Sequence, residues 1–424
     1  MNSGFYVIMA AQFFSSLADN ALLVAAIALL MESASPSWLT PYLKFFFVVS
    51  YVVLAPYVGA FADRLPKGQV MFVANAVKIG GCALMLVGLN PLAAYALVGL
   101  GAAAYSPAKY GILTEYLPPN KLVAANGWIE GLTVASIILG TMLGGLLISQ
   151  HVAAQLLGID LPRIDIGVDT PAEAAIAVVM AVYAVAAVFN LYVPRTDAPL
   201  KPLENPVDTA RDFYHCCLRL WRDRLGQISL AVTTLFWGAG ATLQFIVIEW
   251  AHAALDFNLS RASVLQGVVA FGIALGAVMA SLRVTLDRAV RVIPLGVAMG
   301  VVVIVMIFVR QLGYALPLMV TIGALAGFFV VPMNALLQHR GYNLMGAGRS
   351  IAVQNFNENL SILVMIAAYS LLLETGLSIY MVIVIFGGFV AMAMAGVQRW
   401  FERNRRRHRE EIEALLEFAR AEKH

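Results

Sequence analysis

Apolar segments long enough to cross a bilayer recur along this chain, and they constrain its fold more than any motif does. They fall at roughly 5–31, 45–61, 69–89, 92–114, 122–149 and 173–193, and again at 227–250, 264–282, 290–309, 314–337, 350–373 and 376–398. About 20 helical residues span the hydrocarbon of a membrane. Inside lipid every backbone N–H and C=O must be satisfied within its own segment, so each segment is predicted to be a helix. The expected fold class is an all-α membrane protein, with twelve transmembrane helices in two pseudo-symmetric six-helix bundles. Composition agrees, since 61% of the 424 residues are hydrophobic and only 12% charged. Soluble domains carry about 25% charged residues.

The divisions follow the polar breaks: an N-terminal bundle over 1–193, a linker over 194–225, a C-terminal bundle over 226–398 and a basic amphipathic tail over 399–424. Basic residues set the orientation, because lysine and arginine concentrate on the cytoplasmic side. Only Lys44, Arg163, Arg261 and Arg310 fall in the connections of one side, and Lys78 and Lys109 lie inside segments. The remaining lysines and arginines fall on the other side, which places both termini in the cytoplasm. No cleavable signal is expected, because Met1–Met9 lacks lysine and arginine and the first apolar run contains Asp19-Asn20. The loop 150–172, with Asp160, Asp165 and Asp169, reads as a solvated outward insertion. In the tail, Ile412, Leu415, Leu416 and Phe418 recur at helical spacing behind a basic run. That pattern suits an interfacial helix, with a partner-docking helix as the alternative. The basic run is better explained by anionic lipid, at about 1 kcal/mol per arginine, than by nucleic acid.

Ionisable residues at membrane depth are costly, roughly 2.5–3.5 kcal/mol on insertion scales, and mark pathways or binding sites. The stretch Gly101–Glu130 carries Lys109, Glu115, Asn126 and Glu130 around the turn Pro118-Pro119-Asn120-Lys121. Lys109 and Glu115 are close enough to that turn to snorkel, whereas Glu130 lies two turns into its segment. In the first segment Gln12, Ser15, Ser16, Asp19 and Asn20 fall roughly on one face. In the third, Asn75 and Lys78 share a face, and Asn355, Glu358 and Asn359 lie in the eleventh. Pro107 and Glu130 are echoed by Pro332 and Glu358, and Asn126 by Asn355, as expected for two related halves with a site between them.

Motifs narrow the class. Gly59, Asp63, Arg64 and Lys67 resemble the G-x-x-x-D-R-x-x-[KR] signature of the major facilitator superfamily, with a degenerate second copy near Gly276–Arg283. Asp63 and Arg64 are the expected gating residues, Asp63 pairing with cations or capping a helix. Gly131, Gly140, Gly144 and Gly145 resemble the antiporter motif of that superfamily, although Thr141 stands where proline is expected. Four stretches are more specific: Ala18-Asp19-Asn20-Ala21-Leu22-Leu23; Tyr105-Ser106-Pro107-Ala108-Lys109-Tyr110-Gly111; Leu235-Phe236-Trp237-Gly238-Ala239-Gly240; and Pro332-Met333-Asn334-Ala335 with Gln354-Asn355. These are similar to the bacterial lysophospholipid transporter family, over nearly all twelve segments. The resemblance implies inward movement of lysophospholipids, such as lysophosphatidylethanolamine, across the inner membrane. It also implies reacylation by a cytoplasmic-side acyltransferase and acyl-carrier synthetase. Gln244 stands where the family often has arginine, and loop 150–172 is unusually long.

A lysophospholipid needs donors for its phosphate, carboxylates or aromatics for an ammonium, and apolar wall for its tail. The candidate binding residues are Asp19, Asn20, Lys78, Tyr105, Lys109, Glu130, Gln244, Asn355 and Glu358. Asp19 or Glu130 is the candidate for the ammonium, and Lys78 or Lys109 for the phosphate. A competing reading pairs Lys78 with Asp19 or Glu130 as an internal ion pair that holds helices together or gates the path.

Enzyme signatures are weak. Gly99-Leu-Gly101 imitates a dinucleotide fingerprint but lies inside an apolar segment with no strand before it. No nucleophile–base arrangement or His-x4-Asp is visible, and Cys82, Cys216 and Cys217 lack metal-ligand spacing. No catalysis, cofactor or metal is expected. The alternative function is a proton-coupled exporter of drugs or small metabolites, suggested by the near-antiporter motif and the acids Asp19, Glu130 and Glu358. The charge-based orientation is checked with single cysteines: ones at Asp165 and Asn258 are expected to react with an impermeant maleimide from outside, and ones at Pro206 and Arg291 are not.

Overall fold

A computed structural model describes residues 3–33, 40–158, 169–201, 205–257 and 259–421. Both expected outward labelling positions, Asp165 and Asn258, lie outside these residues, as do Asp160 and Arg163. Regular structure among the described residues is helical. The helices are α1 (Ser3–Glu32), α2 (Thr40–Val53), α3 (Ala55–Arg64), α4 (Lys67–Leu86), α5 (Pro91–Tyr116), α6 (Pro119–Leu147), α7 (Gln150–Leu157) and α8 (Pro171–Leu191). After them come α9 (Pro206–Arg222), α10 (Gly226–Leu255), α11 (Leu259–Arg283), α12 (Ile293–Val305), α13 (Leu312–Met345), α14 (Ala347–Glu374), α15 (Ile379–Arg407) and α16 (Arg409–Ala421).

Among the described residues, ten helices are long and apolar enough to cross a membrane. The second expected segment makes an eleventh as a broken span, bent by 66° between Leu43–Val53 and Ala55–Arg64. The bend falls at Leu54, two residues before Pro56, and proline cannot continue the hydrogen-bond ladder of a preceding helix. The remaining expected segment is α5, a 26-residue helix containing Pro107. It is rich in alanine, glycine and tyrosine in place of leucine and isoleucine, and most of its last four turns are buried by protein.

The chain divides into two compact units. The first comprises residues 1–116, 135–214 and 347–352, and the second 117–134, 215–346 and 353–424. In the first unit α4 packs against both α5 and α8, and α8 packs against α1. Their shared apolar core includes Leu22, Ala25, Leu43, Met85, Val98 and Val179. The glycine-rich part of α6 lies on α1, with Gly140 against the Leu17 carbonyl and Ser136 Oγ donating to the Phe13 carbonyl at 3.3 Å. In the second unit α11 and α13 are the most intimate pair. The fully buried Trp250 donates its indole N–H to the Met306 carbonyl at 2.9 Å.

Two stretches outside the spans are more structured than their sequence implied. The polar linker contains α9, and loop 150–172 opens with α7 and closes on a capping box in which Thr170 and Glu173 cap α8. The tail helix α16 buries Ile412 and Ala419 within the protein, where an interfacial helix would present them to lipid.

Candidate functional site

Lys78 is the most deeply buried of the predicted charges. Its side chain is 1% exposed, while that of Asp19 is 22% exposed. The ammonium donates to both Asp19 carboxylate oxygens, at 2.8 Å and 3.0 Å, and to Ser15 Oγ at 3.1 Å. Ser15 Oγ donates onward to Asn75 Oδ1 at 2.9 Å. The Tyr183 hydroxyl donates to Asp19 Oδ1 at 2.6 Å. The rings of Tyr105 and Tyr183 lie under the ammonium, with centroids 4.9 Å and 5.3 Å from Nζ. Carboxylate, hydroxyl and ring faces therefore replace the water that a lysine would otherwise hold.

Helical spacing makes this arrangement possible. Ser15 and Asp19 are one turn apart on α1, and Asn75 and Lys78 share a face of α4. Gly101 on α5 leaves room for the lysine stem: a Cβ there would come within 2.8 Å of Lys78 Cγ and of the Ala74 carbonyl. Of the two acids considered for Lys78, the structure pairs it with Asp19. Asn20 turns away and donates to its own helix at the Ser16 carbonyl, at 2.8 Å. Lys109 sits over the Tyr110 ring at 4.8 Å.

The second unit holds its own polar cluster. Asn126 and Gln338 exchange reciprocal amide hydrogen bonds at 2.9 Å and 3.0 Å. Gln354 Nε2 donates to Glu358 Oε1 at 2.8 Å and to Asn334 Oδ1 at 3.1 Å. Glu130, Asn355 and Glu358 are all buried. Gln244 is exposed, and its backbone carbonyl accepts from Gln266 Nε2 at 3.0 Å. Tyr183, Gln338 and Gln354 were not singled out as site residues. Tyr183 lies in an almost wholly apolar helix and carries no sequence signal. Gln354 stands inside a quoted motif, and Gln338 lies three residues beyond Ala335 of the same stretch.

The signature loop forms a separate lock in the first unit. Asp63 accepts from the backbone N–H groups of Gly348 at 2.7 Å and Arg349 at 3.1 Å, at the first turn of α14. A carboxylate placed there satisfies open helix donors and meets the positive end of the helix dipole. Gly348 is required for this approach, since a Cβ would fall 2.6 Å from Asp63 Oδ1. Lys67 bridges Asp63 at 3.0 Å and Glu115 at 3.1 Å. Glu115 also accepts from Thr196 Oγ1 at 2.7 Å, so it is part of the lock and does not snorkel. Arg349 Nε reaches Asp212 of α9 at 2.5 Å. Arg64, expected to gate with Asp63, is exposed at the last turn of α3, and Lys67 and Arg349 supply the cations. The second copy of the signature has a fuller match further along the chain. Asp287-Arg288-Ala289-Val290-Arg291 repeats D-R-x-x-R in the connection after α11, beyond the stretch Gly276–Arg283.

In α9, burial followed by the neighbouring Cys216 pushes the Cys217 thiol up to about 12, far from a reactive thiolate at neutral pH.

The fold and these sites define a membrane transporter. The family model described as Major Facilitator Superfamily matches residues 8–365. A protein of Citrobacter koseri named lysophospholipid transporter LplT is 42% identical over 405 residues, covering 95% of this chain and 96% of its own. One of the same name from Yersinia enterocolitica is 42% identical, covering 89% of each. The crystal structure of the transporter FucP in its outward conformation superposes with a TM-score of 0.72 at 11% identity, covering 94% of this chain and 97% of that one. The chain belongs to the major facilitator superfamily, in the family of lysophospholipid transporters.

Replacing Asp63 by asparagine removes the charge at the helix terminus while keeping one acceptor, a loss of about 1–2 kcal/mol to this arrangement. The variant is expected to insert normally and to transport more slowly. Unchanged transport at normal expression would leave Asp63 with a packing role alone.

Proposed function

We propose that this protein moves lysophospholipids such as lysophosphatidylethanolamine inward across the bacterial inner membrane, by alternating access, with both termini cytoplasmic. The names of its relatives support the substrate class, and the distribution of lysine and arginine supports the orientation. The relatives do not favour the proton-coupled exporter. A transporter is consistent with the expectation that the chain is not an enzyme. In this reading the product on the cytoplasmic side is the substrate of an acyltransferase with its acyl-carrier synthetase, a coupling that rests on the family resemblance.

The observation that carries the site assignment is the buried ammonium of Lys78 held by a carboxylate that is partly open. A zwitterionic headgroup carries the same two charges, an ammonium and a phosphate. It can therefore exchange partners with the pair. Asp19 is the more accessible member, so the incoming ammonium meets it first. As Asp19 takes that second cation its hold on Lys78 weakens, and Lys78 becomes available to the phosphate. Neither protein charge is left bare in this exchange. That condition decides the path, because stranding one member of a buried pair costs about 3–5 kcal/mol. Tyr105 and Tyr183 keep the ammonium oriented from below. Lys109, Asn20, Glu130, Gln244, Asn355 and Glu358 remain proposed contacts for the rest of the lipid, and the structure gives Asn20 a partner on its own helix.

A double variant separates binding from architecture. Asp19→Asn with Lys78→Gln removes both charges and avoids a stranded one, so it is expected to fold and insert but to move little labelled lysophosphatidylethanolamine in proteoliposomes. Single variants at either position are expected to be less stable than the double, by about 3–5 kcal/mol if the remaining charge stays buried. Robust transport by the folded double variant would remove both residues from the binding site.

A further inference from the structure

The two copies of the D-R-x-x-[KR] signature are held in different ways. In the first unit Asp63 and Lys67 are buried and tied into the charged lock. In the second, residues Leu286–Val292 wind into a short 3-10 helix between α11 and α12. Arg288 and Arg291 are exposed there, and among the described residues Asp287 and Arg291 make no ion pair. The apolar members of the same turn, Leu286, Ala289, Val290 and Val292, are buried.

Two helices lie against that turn, α13 from within the unit and α16 from the tail. Chain α15 runs out to Arg407, breaks at His408 and returns as α16. Ile412 is 0% exposed and Ala419 2% exposed. The Phe418 ring lies 5.9 Å from that of His339, near the end of α13. Glu411 is 3.8 Å from Arg224, which precedes α10. One side of α16 thus touches the start of α10, the end of α13 and the turn between α11 and α12. Its opposite side, including Ala414 and Glu417, is exposed.

From this we infer that α16 is the latch of the second unit: it holds the Leu286–Val292 turn by apolar burial, where the first unit holds its signature loop by charge. The latch sets how readily this end of the second unit rearranges, and so sets the transport rate. The rate part of this inference rests on the proposed transport activity, and the burial part does not.

The test uses the full chain in nanodiscs, with Cys82, Cys216 and Cys217 replaced and a reporter cysteine at the buried Ala289. Ile412→Asp places a charge on the buried side of α16, and Ala414→Asp places the same charge on the exposed side of the same helix. Ile412→Asp is expected to raise maleimide labelling of Ala289→Cys about tenfold, as for release of a local packing unit, with Ala414→Asp matching the parent. In proteoliposomes, with the reporter omitted, Ile412→Asp is expected to change the initial rate of lysophosphatidylethanolamine uptake about threefold or more, the order of effect expected when a local opening equilibrium shifts. Unchanged labelling would overturn the inference, and so would increased labelling with unchanged uptake. If Ile412→Asp does not accumulate, Ile412→Ala is read in the same two assays with the same directions. No uptake by the parent would overturn the proposed substrate and leave the labelling result standing.

Discussion

An ammonium inside a helix bundle that crosses lipid has no water to solvate it, and much of the first unit is arranged to make up for that. Lys78 takes its solvation from α1 through Asp19 and Ser15, from α5 through the Tyr105 ring and from α8 through Tyr183. The four helices that meet here also supply most of the apolar core of the unit. A charge that could be paid for only by several helices at once fixes their mutual placement more strictly than apolar contact does, because hydrogen bonds and ring contacts are directional. The same requirement makes the pair responsive. A partner that brings both charges can replace the internal contacts at little net loss.

Charge is used differently at the ends of the helices. The Asp63 lock combines a carboxylate at a helix terminus with two cations and a second acid, and nearly all of its members are buried. Pairs of this kind hold well only while complete, since removing one partner strands another. The turn Leu286–Val292 carries the same short signature without that network, and α13 and α16 both pack against it, its apolar residues being buried. One chain thus contains two solutions to holding a connection between spans. The ionic one is sensitive to loss of a single charge, and the apolar one to loss of complementary surface.

The second unit shows a third use of polarity. Asn126 with Gln338, and Gln354 with Asn334 and Glu358, form amide-rich contacts among helices. Hydrogen bonds between membrane helices contribute modestly to stability, about 0.6 kcal/mol on average. Their directionality serves register more than strength, and Gln338 and Asn126 satisfy each other reciprocally across 212 positions of sequence.

The sequence by itself determined the class of fold, because lipid leaves a long apolar segment no choice but a helix. It also determined which residues had to be special, since Asp19, Lys78, Glu130 and Glu358 could not lie at membrane depth without a partner or a cavity. The resemblance carried by Tyr105–Gly111 and Pro332–Ala335 reached the family. Pairing was beyond it. Nothing in the spacing said that Lys78 would meet Asp19 and not Glu130, that Tyr183 would close the cluster, or that Arg349 would serve Asp63 in place of Arg64. Those choices depend on which helix faces meet across distances of 59 to 286 residues. Periodicity gives the face of a helix and not its neighbour. The tail shows the same limit: helical spacing of Ile412 and Phe418 announced an apolar stripe, and lipid or protein could have covered it. Only the tertiary structure, by setting α16 against the turn after α11, decided that protein covers Ile412 while Phe418 stays exposed.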